Sequence, residues 1–372
     1  MPASRSVRVI VGLSGGVDSA VAALLLREAG YEVHGLFMHN WDADDEYCSA
    51  AQDYQDARQV AGELGIVLHR VNFAHEYRRQ VFQYLLQEYR AGRTPNPDVL
   101  CNREIKFGLC LRYALRLGAA LFATGHYARR LDEADGPALY QARDADKDQT
   151  YFLHAVQRAS LARVLFPLAA LTKPEVRERA RRAGFAVHDK PDSTGICFIG
   201  ERPFAAFLSR FIEARPGPIE TLDGRVLGRH RGLHFYTLGQ RAGLAIGGAR
   251  GCAAEPWYVA IKEQARNALV VVQRHEQRRL DARALDTARL NWLSAPRQGT
   301  FLAGVRLRHR QPEQGASVEV RADGTAHVEF EHAQRAAAPG QFAVFYERGR
   351  CLGGGAIERV RLEVEARYNP AA

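Results

Sequence analysis

Two groups of residues in this 372-residue chain have types and spacings suited to chemistry. The first is a glycine-rich loop between a strand pattern and a helix pattern, Gly12-Leu13-Ser14-Gly15-Gly16-Val17-Asp18-Ser19. Glycines allow close backbone approach, and the N–H groups of such a loop and of the helix after it bind phosphate. The loop lacks the lysine of a Walker A motif and does not match G-x-G-x-x-G. Beside phosphates, we expect Asp18 to serve a Mg²⁺ ion.

The second group is a pair of cysteines nearly a hundred residues apart. Cys101 follows a stiff loop containing Asn96-Pro97-Asp98, and it lies just ahead of a helix predicted to begin near Arg103. A helix N-terminus lowers the pKa of a thiol, which would activate Cys101. Cys197 lies in a turn-rich segment that begins at Asp192. Because one sequence does not show spatial proximity, the residues alone also fit two unrelated, buried cysteines.

The remaining cysteines are predicted to be packing residues. They are Cys48, Cys110, Cys252 and Cys351. No two cysteines have C-x-x-C spacing, which leaves a zinc ribbon or a thioredoxin-like motif without support.

The elements that must position these residues alternate between strand and helix in the first part of the chain. The predicted elements are a strand at Val7–Val11, a helix at Ala20–Ala29, a strand at Tyr31–Met38, a helix at Ala50–Leu64, a strand at Ile66–Val71, a helix at Glu104–Leu117 and a strand at Ala120–Thr124. Such alternation with short, glycine-marked connections predicts a doubly wound parallel sheet in an α/β domain.

The pattern changes after about residue 200. A short segment rich in glycine and proline predicts a small central domain, and period-two alternation from about residue 280 predicts an antiparallel β-barrel. We therefore predict domains at residues 1–203, 204–279 and 280–372.

The charge composition of the chain indicates which kinds of binding partner are favoured. Lys plus Arg number 51 against 42 Asp plus Glu, giving a net charge of +9, which favours a polyanion such as RNA or DNA. Only five of the 51 are lysines, so a codon bias towards arginine also explains the excess. The barrel-like segment carries Arg306, Arg308 and Arg310 as candidates for phosphate contact. The start of the chain lacks a signal-peptide pattern, and no stretch is apolar enough to span a membrane; we expect a cytoplasmic protein without a membrane partner.

S-G-G-x-D-S resembles the signature of the PP-loop ATP pyrophosphatases, which cleave ATP between its α and β phosphates. Combined with N-P-D-x-L-C and S-T-G-I-C, it resembles the pattern of the tRNA-specific 2-thiouridylase family. The similarity covers essentially the whole chain and includes Thr124-Gly125-His126-Tyr127, Lys147 to Leu153, Gly232 to Gly248, Glu255-Pro256-Trp257-Tyr258, Pro339-Gly340-Gln341 and Cys351 to Gly355.

The resemblance implies a tRNA-uridine 2-sulfurtransferase. ATP would adenylate O2 of the wobble uridine in tRNA for Lys, Glu and Gln, sulfur would replace that oxygen, and AMP and pyrophosphate would leave. The residues implied to bind ATP are Gly12, Leu13, Ser14, Gly15, Gly16, Val17, Asp18, Ser19, Met38 and Gly125. The last two would flank the adenosine, at the carboxyl ends of parallel strands where nucleotides bind.

The resemblance also implies the sulfur chemistry. Cys197 would carry sulfur as a persulfide, Cys101 would be its partner nucleophile, and the pair could finish as a disulfide. Asp98 would be the general acid/base, and Asn96, Pro97 and Asp98 would contact the flipped target base. Further contacts to the anticodon stem-loop would come from His126, Lys147, Asp148, Gln149, Arg308, His309 and Gln341. The sulfur donor would be a sulfur-relay protein or a cysteine desulfurase.

Three alternatives stay open on the sequence. An iron–sulfur cluster ligated by Cys101, Cys197 and Asp98 could deliver sulfide in the same reaction. Another PP-loop synthetase could adenylate a small carboxylate or carbonyl and would need no second cysteine. A non-catalytic RNA-binding protein would rely on the barrel alone.

Overall fold

A computed structural model describes residues 6–41, 50–192, 204–246 and 255–362. The predicted sulfur carrier Cys197 lies outside these residues, as do Cys48 and Cys252. Within the described ranges, no helix has the length and apolarity that a membrane crossing requires.

The N-terminal part is built on a parallel sheet. The strands before residue 193 are β1 (Arg8–Gly12), β2 (Glu32–His39), β3 (Val67–Asn72), β4 (Leu121–Ala123), β5 (Arg129–Glu133), β6 (Gly136–Tyr140) and β7 (Val164–Leu165). Five of them pair in the order β3-β2-β1-β4-β7, every pair parallel. The apolar run Val9–Val11 of central strand β1 is fully buried, as expected for a strand covered on both faces. The predicted α/β fold is confirmed.

Helices cover this sheet. The α-helical segments are α1 (Val17–Glu28), α2 (Ala50–Leu64), α3 (Ala74–Tyr77), α4 (Gln83–Arg90), α5 (Pro97–Leu100), α6 (Leu111–Arg116), α7 (Thr150–Leu153), α8 (Arg158–Leu161), α9 (Lys173–Arg182) and α10 (Phe204–Leu208). The π-helical segments Arg78–Phe82 and Cys101–Cys110 join α3 to α4 and α5 to α6. Short 3₁₀ turns lie at Ala186–Asp189, Leu233–Phe235 and Arg274–Leu280.

The helix that carries Cys101 starts earlier than predicted. It runs without a break from Pro97 to Arg116, because Asn96 is an extended N-cap and the fixed φ of Pro97 suits a first helical turn. Cys101 is therefore in the second turn of this helix, and the expectation that it lies ahead of a helix beginning near Arg103 is wrong. The influence of a helix terminus fades within its first turn, so the N-terminus of this helix does not activate the Cys101 thiol.

The central part has a small sheet of its own. Its strands are β8 (Gly217–Glu220), β9 (Val226–His230), β10 (Trp257–Glu263) and β11 (Ala268–Gln273), in the order β10-β11-β8-β9. Ile219, Val259 and Leu269 are fully buried in a separate apolar core beneath it.

The C-terminal part is an antiparallel barrel, as predicted. Its strands are β12 (Asp281–Thr287), β13 (Asn291–Trp292), β14 (Gly299–Arg306), β15 (Gln314–Val320), β16 (Ala326–Arg335), β17 (Phe342–Glu347) and β18 (Arg350–Leu362). They pair in the order β12-β16-β15-β14-β17-β18, and β12 also pairs with β18, which closes the barrel. The N-terminal hairpin β5–β6 extends this sheet, because β6 pairs with β18 through Tyr140 and Arg350.

Candidate active site

The glycine-rich loop is shaped by its own hydrogen bonds between β1 and α1. The Ser14 N–H donates to Ser19 Oγ (3.1 Å), and that hydroxyl donates to the Gly16 carbonyl (2.9 Å). Gly15 has φ of +78°, and a Cβ there would overlap the backbone carbonyl of Asp53 at the start of α2. Leu13 and Val17 are buried in the core, so only their backbone can meet a ligand. The loop is thus a preformed backbone cradle of the kind that binds phosphate.

The residues expected to flank adenosine lie at the same edge of the sheet. A Cβ on Gly125 would be 2.7 Å from Asp18 C and from Ser19 N, so the backbone after β4 lies directly against the start of α1. Met38 lies near the end of β2, and its Cε would be 3.9 Å from a Cβ on Gly12. The structure therefore brings Gly12, Met38 and Gly125 together at the carboxyl ends of β1, β2 and β4, where α/β folds bind nucleotides.

Sequence analysis missed a lysine at the centre of this site. Lys173, the first residue of α9, has an almost buried side chain (9% exposed). Its Nζ lies 2.8 Å from both carboxylate oxygens of Asp18 and 2.6 Å from Oδ1 of Asp192. The Tyr127 hydroxyl also donates to Asp18 (2.9 Å). Lys173 therefore supplies a cation to the loop, although the loop has no Walker lysine.

A second missed lysine, Lys190, holds the loop from the other side. Its Nζ donates to the Gly15 carbonyl (3.0 Å), to Asp53 (2.8 Å) and to Asp56. Burial opposes protonation, but the hydrogen bonds that Lys190 donates to these two carboxylates raise its pKa. The sequence contains only five lysines, and that scarcity is the one feature that could have drawn attention to these residues. Lys173 and Lys190 both contact this loop or the first turn of α1.

Asp192 connects the loop's cations with the segment that leads to Cys197. It pairs with Lys147 (2.7 Å) as well as Lys173, and Arg177 lies 3.4 Å away. Burial opposes ionisation, yet the hydrogen bonds and charges of Lys147 and Lys173 lower the pKa of Asp192 to about 2. The carboxylate therefore remains charged throughout the neutral range.

The side chains around Asp18 determine whether a Mg²⁺ ion could bind there, as predicted. No group of three or more His, Cys, Asp or Glu side chains in the described ranges is arranged to hold a metal ion. Mg²⁺ bound with nucleotides usually takes only one or two carboxylates and completes its shell with phosphate and water. Asp18 fits that role as a single protein ligand, provided that Lys173 gives it up.

Cys101 is fully buried in the second turn of its helix, and Asp98 is half-buried in the first turn. Cys197 lies outside the described residues, so the spacing of the two sulfurs stays a prediction. Cys110 and Cys351 are fully buried, as predicted for packing residues. Burial raises the pKa of Cys110, and it raises that of Cys351 to about 12, which keeps both as unreactive thiols at neutral pH.

Two predicted tRNA-contact segments meet, although they are about 160 residues apart. His309 Nε2 donates to the Asp148 carbonyl (3.0 Å), and Arg306 donates to the Asp148 carboxylate (3.0 Å). Asp148 is only 2% exposed and also accepts a hydrogen bond from Thr150, so its carboxylate serves the protein interior. Arg308 and Arg310 remain exposed on this surface.

Other predicted tRNA contacts are engaged within the protein. His126 is buried between Phe107 and Phe166 and shares a hydrogen bond with Thr124 Oγ1 (2.8 Å). Burial and, secondarily, the charge of Lys106 lower its pKa well below the ordinary value, so its ring is neutral. Gln149 is tied to Tyr127 through both its backbone N–H and its side-chain oxygen.

Gln341 is likewise engaged inside the protein. Its Nε2 donates to the Thr94 carbonyl (2.8 Å), in the loop before Asn96.

The fold and the loop define the class: an α/β PP-loop domain followed by two β domains. Three family models match in succession, the tRNA methyl transferase HUP domain over residues 7–201, the tRNA methyl transferase PRC-barrel domain over 205–273 and the aminomethyltransferase beta-barrel domain over 282–357.

Similarity to curated proteins shows which family the chain belongs to. The chain is 54% identical to the tRNA-specific 2-thiouridylase MnmA of Pseudomonas putida (94% of each chain). It is 52% identical to those of Marinobacter nauticus (96% and 93%) and Stutzerimonas stutzeri (99% and 98%). The chain belongs to the tRNA-specific 2-thiouridylase (MnmA) family. A solved 4-thiouridine synthetase–RNA complex with bound ATP is more distant, with 19% identity and a TM-score of 0.33 over 55% of this chain and 50% of that one.

Proposed function

We propose that this chain uses ATP to convert the wobble uridine of tRNA for Lys, Glu and Gln to 2-thiouridine. One observation supports the proposal: the helix that carries Asp98 and Cys101 packs against Met38, the residue beside the phosphate loop. Met38, beside the loop, contacts Cys110 on that helix. Adenylation and thiolation are assigned to residues 1–203, and most of the tRNA binding is assigned to residues 280–372. The enzyme would act in the cytoplasm.

ATP binding uses the backbone cradle of Gly12–Ser19, with Met38 and Gly125 beside the adenosine. Lys173 and Lys190 are close enough to the loop to reach phosphate oxygens. When phosphate becomes the partner of Lys173, the Asp18 carboxylate is released. Mg²⁺ bound by Asp18 and the phosphates would supply further charge neutralisation there.

Adenylation makes the uracil oxygen a leaving group. O2 attacks the α-phosphorus, the bond to the β-phosphate oxygen breaks, and pyrophosphate leaves. The base must be flipped for C2 to be reached, and Asn96-Pro97-Asp98 is the segment assigned to hold it. Asp98, as general acid/base, accepts the proton that uracil N3 loses as O2 is adenylated.

Sulfur transfer needs two cysteines because the transferred sulfur is reduced. The terminal sulfur of a Cys197 persulfide attacks C2 and forms the new C–S bond. Cys101 is buried in the free protein, so it must first be exposed and deprotonated. Its thiolate then attacks Cys197 Sγ, the S–S bond to the transferred sulfur breaks, and AMP leaves as C2=S forms. The cysteines are oxidised to a disulfide, which an external thiol reduces before a sulfur-relay protein or a cysteine desulfurase reloads Cys197.

The tRNA surface is assigned to the region where residues 147–149 meet residues 308–309. Arg308 and Arg310 are exposed there and suit phosphates of the anticodon stem-loop. Asp148 and Arg306 act beneath that surface and hold the two segments together.

The deciding experiment is single-turnover reaction of the enzyme with ATP and an unmodified tRNA-Glu transcript. One arm uses a persulfide donor with iron-free enzyme in air, and the other uses sulfide after anaerobic iron–sulfur reconstitution. We expect thiouridine in the first arm. Product only after reconstitution would instead assign Cys101, Cys197 and Asp98 as cluster ligands.

Variants sharpen the test. Cys101→Ala and Cys197→Ser should abolish product, whereas Cys110→Ala, a matched buried cysteine on the same helix as Cys101, should retain it. Full activity in Cys197→Ser would refute thiolation by this pair. ATP turnover that ignores tRNA would indicate a small-molecule synthetase, and tRNA binding without turnover would indicate a binding protein.

A further inference from the structure

The loop that leads into the Cys101 helix is held by the two downstream domains. The Thr94 N–H donates to the Pro339 carbonyl (2.9 Å), and the Thr94 carbonyl accepts from Gln341 Nε2 (2.8 Å). The Thr94 hydroxyl meets the hydroxyl of Thr237 in the central domain (3.4 Å). One residue of the N-terminal domain thus bonds to the barrel through both backbone groups and to the central domain through its side chain.

The neighbouring residue fixes the loop from the other side. The Arg93 N–H donates to the Glu88 carbonyl at the end of α4 (2.9 Å). The Arg93 guanidinium forms a two-point ion pair with the buried Glu88 carboxylate, with Nε 2.6 Å from Oε2. Such forked pairs constrain direction as well as distance.

The barrel turn that grips Thr94 is itself rigidly attached. Gly340 N–H donates to the Ile357 carbonyl on β18 (2.9 Å), and Ile357 N–H donates to the Gln341 carbonyl (2.7 Å). Gly340 has φ of +91°, and a Cβ there would lie 2.9 Å from Thr94 N. Only glycine allows the turn to approach Thr94 this closely, so movement of the barrel is passed directly to the loop.

We propose that the Pro339–Gln341 turn is a clamp that sets the position of the base-binding and sulfur-transfer residues, with Gln341 as its positioning residue. Only Pro95 separates Thr94 from Asn96, the N-cap of the helix that carries Asp98 and Cys101. The two prolines around Asn96 leave little slack in that connection. The proposal rests on the proposed function, which gives these residues their chemical roles. The clamp thereby fixes the position of a tRNA bound by the barrel at Arg308 relative to Asp98 and Cys101.

The test compares Gln341→Ala, which removes the amide donor, with Gly340→Ala, which forces the turn away from Thr94 and keeps the glutamine. Gly349→Ala is the control, because Gly349 has a similar φ (+77°) in another barrel turn and a Cβ there makes only an ordinary contact. Three quantities are measured: amide hydrogen exchange of peptides covering residues 92–101, the dissociation constant for tRNA, and the single-turnover rate of thiolation.

The clamp predicts that both test variants speed exchange over residues 92–101 and slow thiolation by roughly tenfold, the factor that a lost hydrogen bond of ordinary strength gives. Any weakening of tRNA binding should be smaller than the loss of thiolation rate, and Gly349→Ala should change none of the three quantities. A different result would overturn the clamp: Gln341→Ala binds tRNA more weakly, Gly340→Ala does not, and hydrogen exchange over residues 92–101 is unchanged. Gln341 would then be a direct tRNA contact.

The exchange measurement separates this proposal from the proposed function. If the wild-type enzyme makes no thiouridine, faster exchange in Gln341→Ala still supports the clamp. Unchanged exchange in that variant overturns the clamp whatever the enzyme's activity. Should Gly340→Ala not fold, Gln341→Ala alone decides, since it removes a single half-buried side chain.

Discussion

At the scale of single residues, Lys173 decides the charge of the phosphate loop. It neutralises Asp18 and Asp192 together, and in Lys173→Gln the two carboxylates would face each other without that cation. We expect the KM for ATP to rise at least about tenfold, because a charge-assisted contact to phosphate is lost. Stability should fall by about 1–2 kcal/mol, since both carboxylates are partly exposed. ATP titration of the pyrophosphate-releasing step and thermal unfolding measure the two effects.

Arg179→Gln is the matched control for this prediction, because Arg179 is a cation on the exposed side of the same helix. It should leave both quantities nearly unchanged. An unaltered KM for ATP in Lys173→Gln would show that the lysine serves only to balance charge in the free enzyme.

The sequence predicted the loop but not its lysines, for a physical reason. Gly12–Ser19 is one contiguous turn whose glycines and hydroxyls describe a phosphate cradle by themselves. Lys173 and Lys190 lie more than 150 residues away, and only the packing of α9 and the turn after it against α1 and α2 brings them there. Asp148 shows the converse: Lys147, Asp148 and Gln149 are adjacent in sequence, yet the aspartate faces inward.

At the scale of elements, the glycines of β18 set how closely the barrel strands pack. A Cβ on Gly354 would overlap the Ala343 carbonyl on β17 and lie 3.1 Å from the ring of His154. Gly354→Ala should therefore lower the free energy of unfolding by at least about 2 kcal/mol through overpacking. Gly228→Ala, on β9 with open space around it, should stay within about 0.5 kcal/mol. Denaturant unfolding compares them, and equal stability of the two variants would contradict the argument.

Element types followed from periodicity, whereas one helix boundary and one strand pairing did not. The alternation of residues 317–320 and 326–330 correctly predicted strands, which are β15 and β16. The helix before Cys101 was missed because its first residue is a proline, which was interpreted as part of a loop. The pairing of β6 with β18 joins Tyr140 to Arg350 through backbone bonds, and no local pattern reports such a distant partner.

At the scale of the whole molecule, His154 makes the attachment of the barrel sensitive to acid. Its Nδ1–H donates to the Tyr151 carbonyl (2.6 Å), its ring packs on Phe342, and its carbonyl accepts from Asn291 of β13 (2.7 Å). Complete burial lowers the pKa of His154 to about 4, against about 6.5 in an unfolded chain. Between these values the unfolded state binds the extra proton, so stability falls as pH drops from about 6.5 towards 4.

We expect this histidine to cost about 2 kcal/mol of stability between pH 7 and pH 5, with buried His126 adding a loss of the same sign. His154→Gln should be less stable than the wild type at pH 7 but lose less on acidification, because glutamine does not titrate. His75→Gln, at an exposed position, should follow the wild-type curve. Unfolding followed at intervals from pH 7 to pH 5 measures the slopes, and identical slopes for wild type and His154→Gln would show that the barrel junction does not sense pH through this ring.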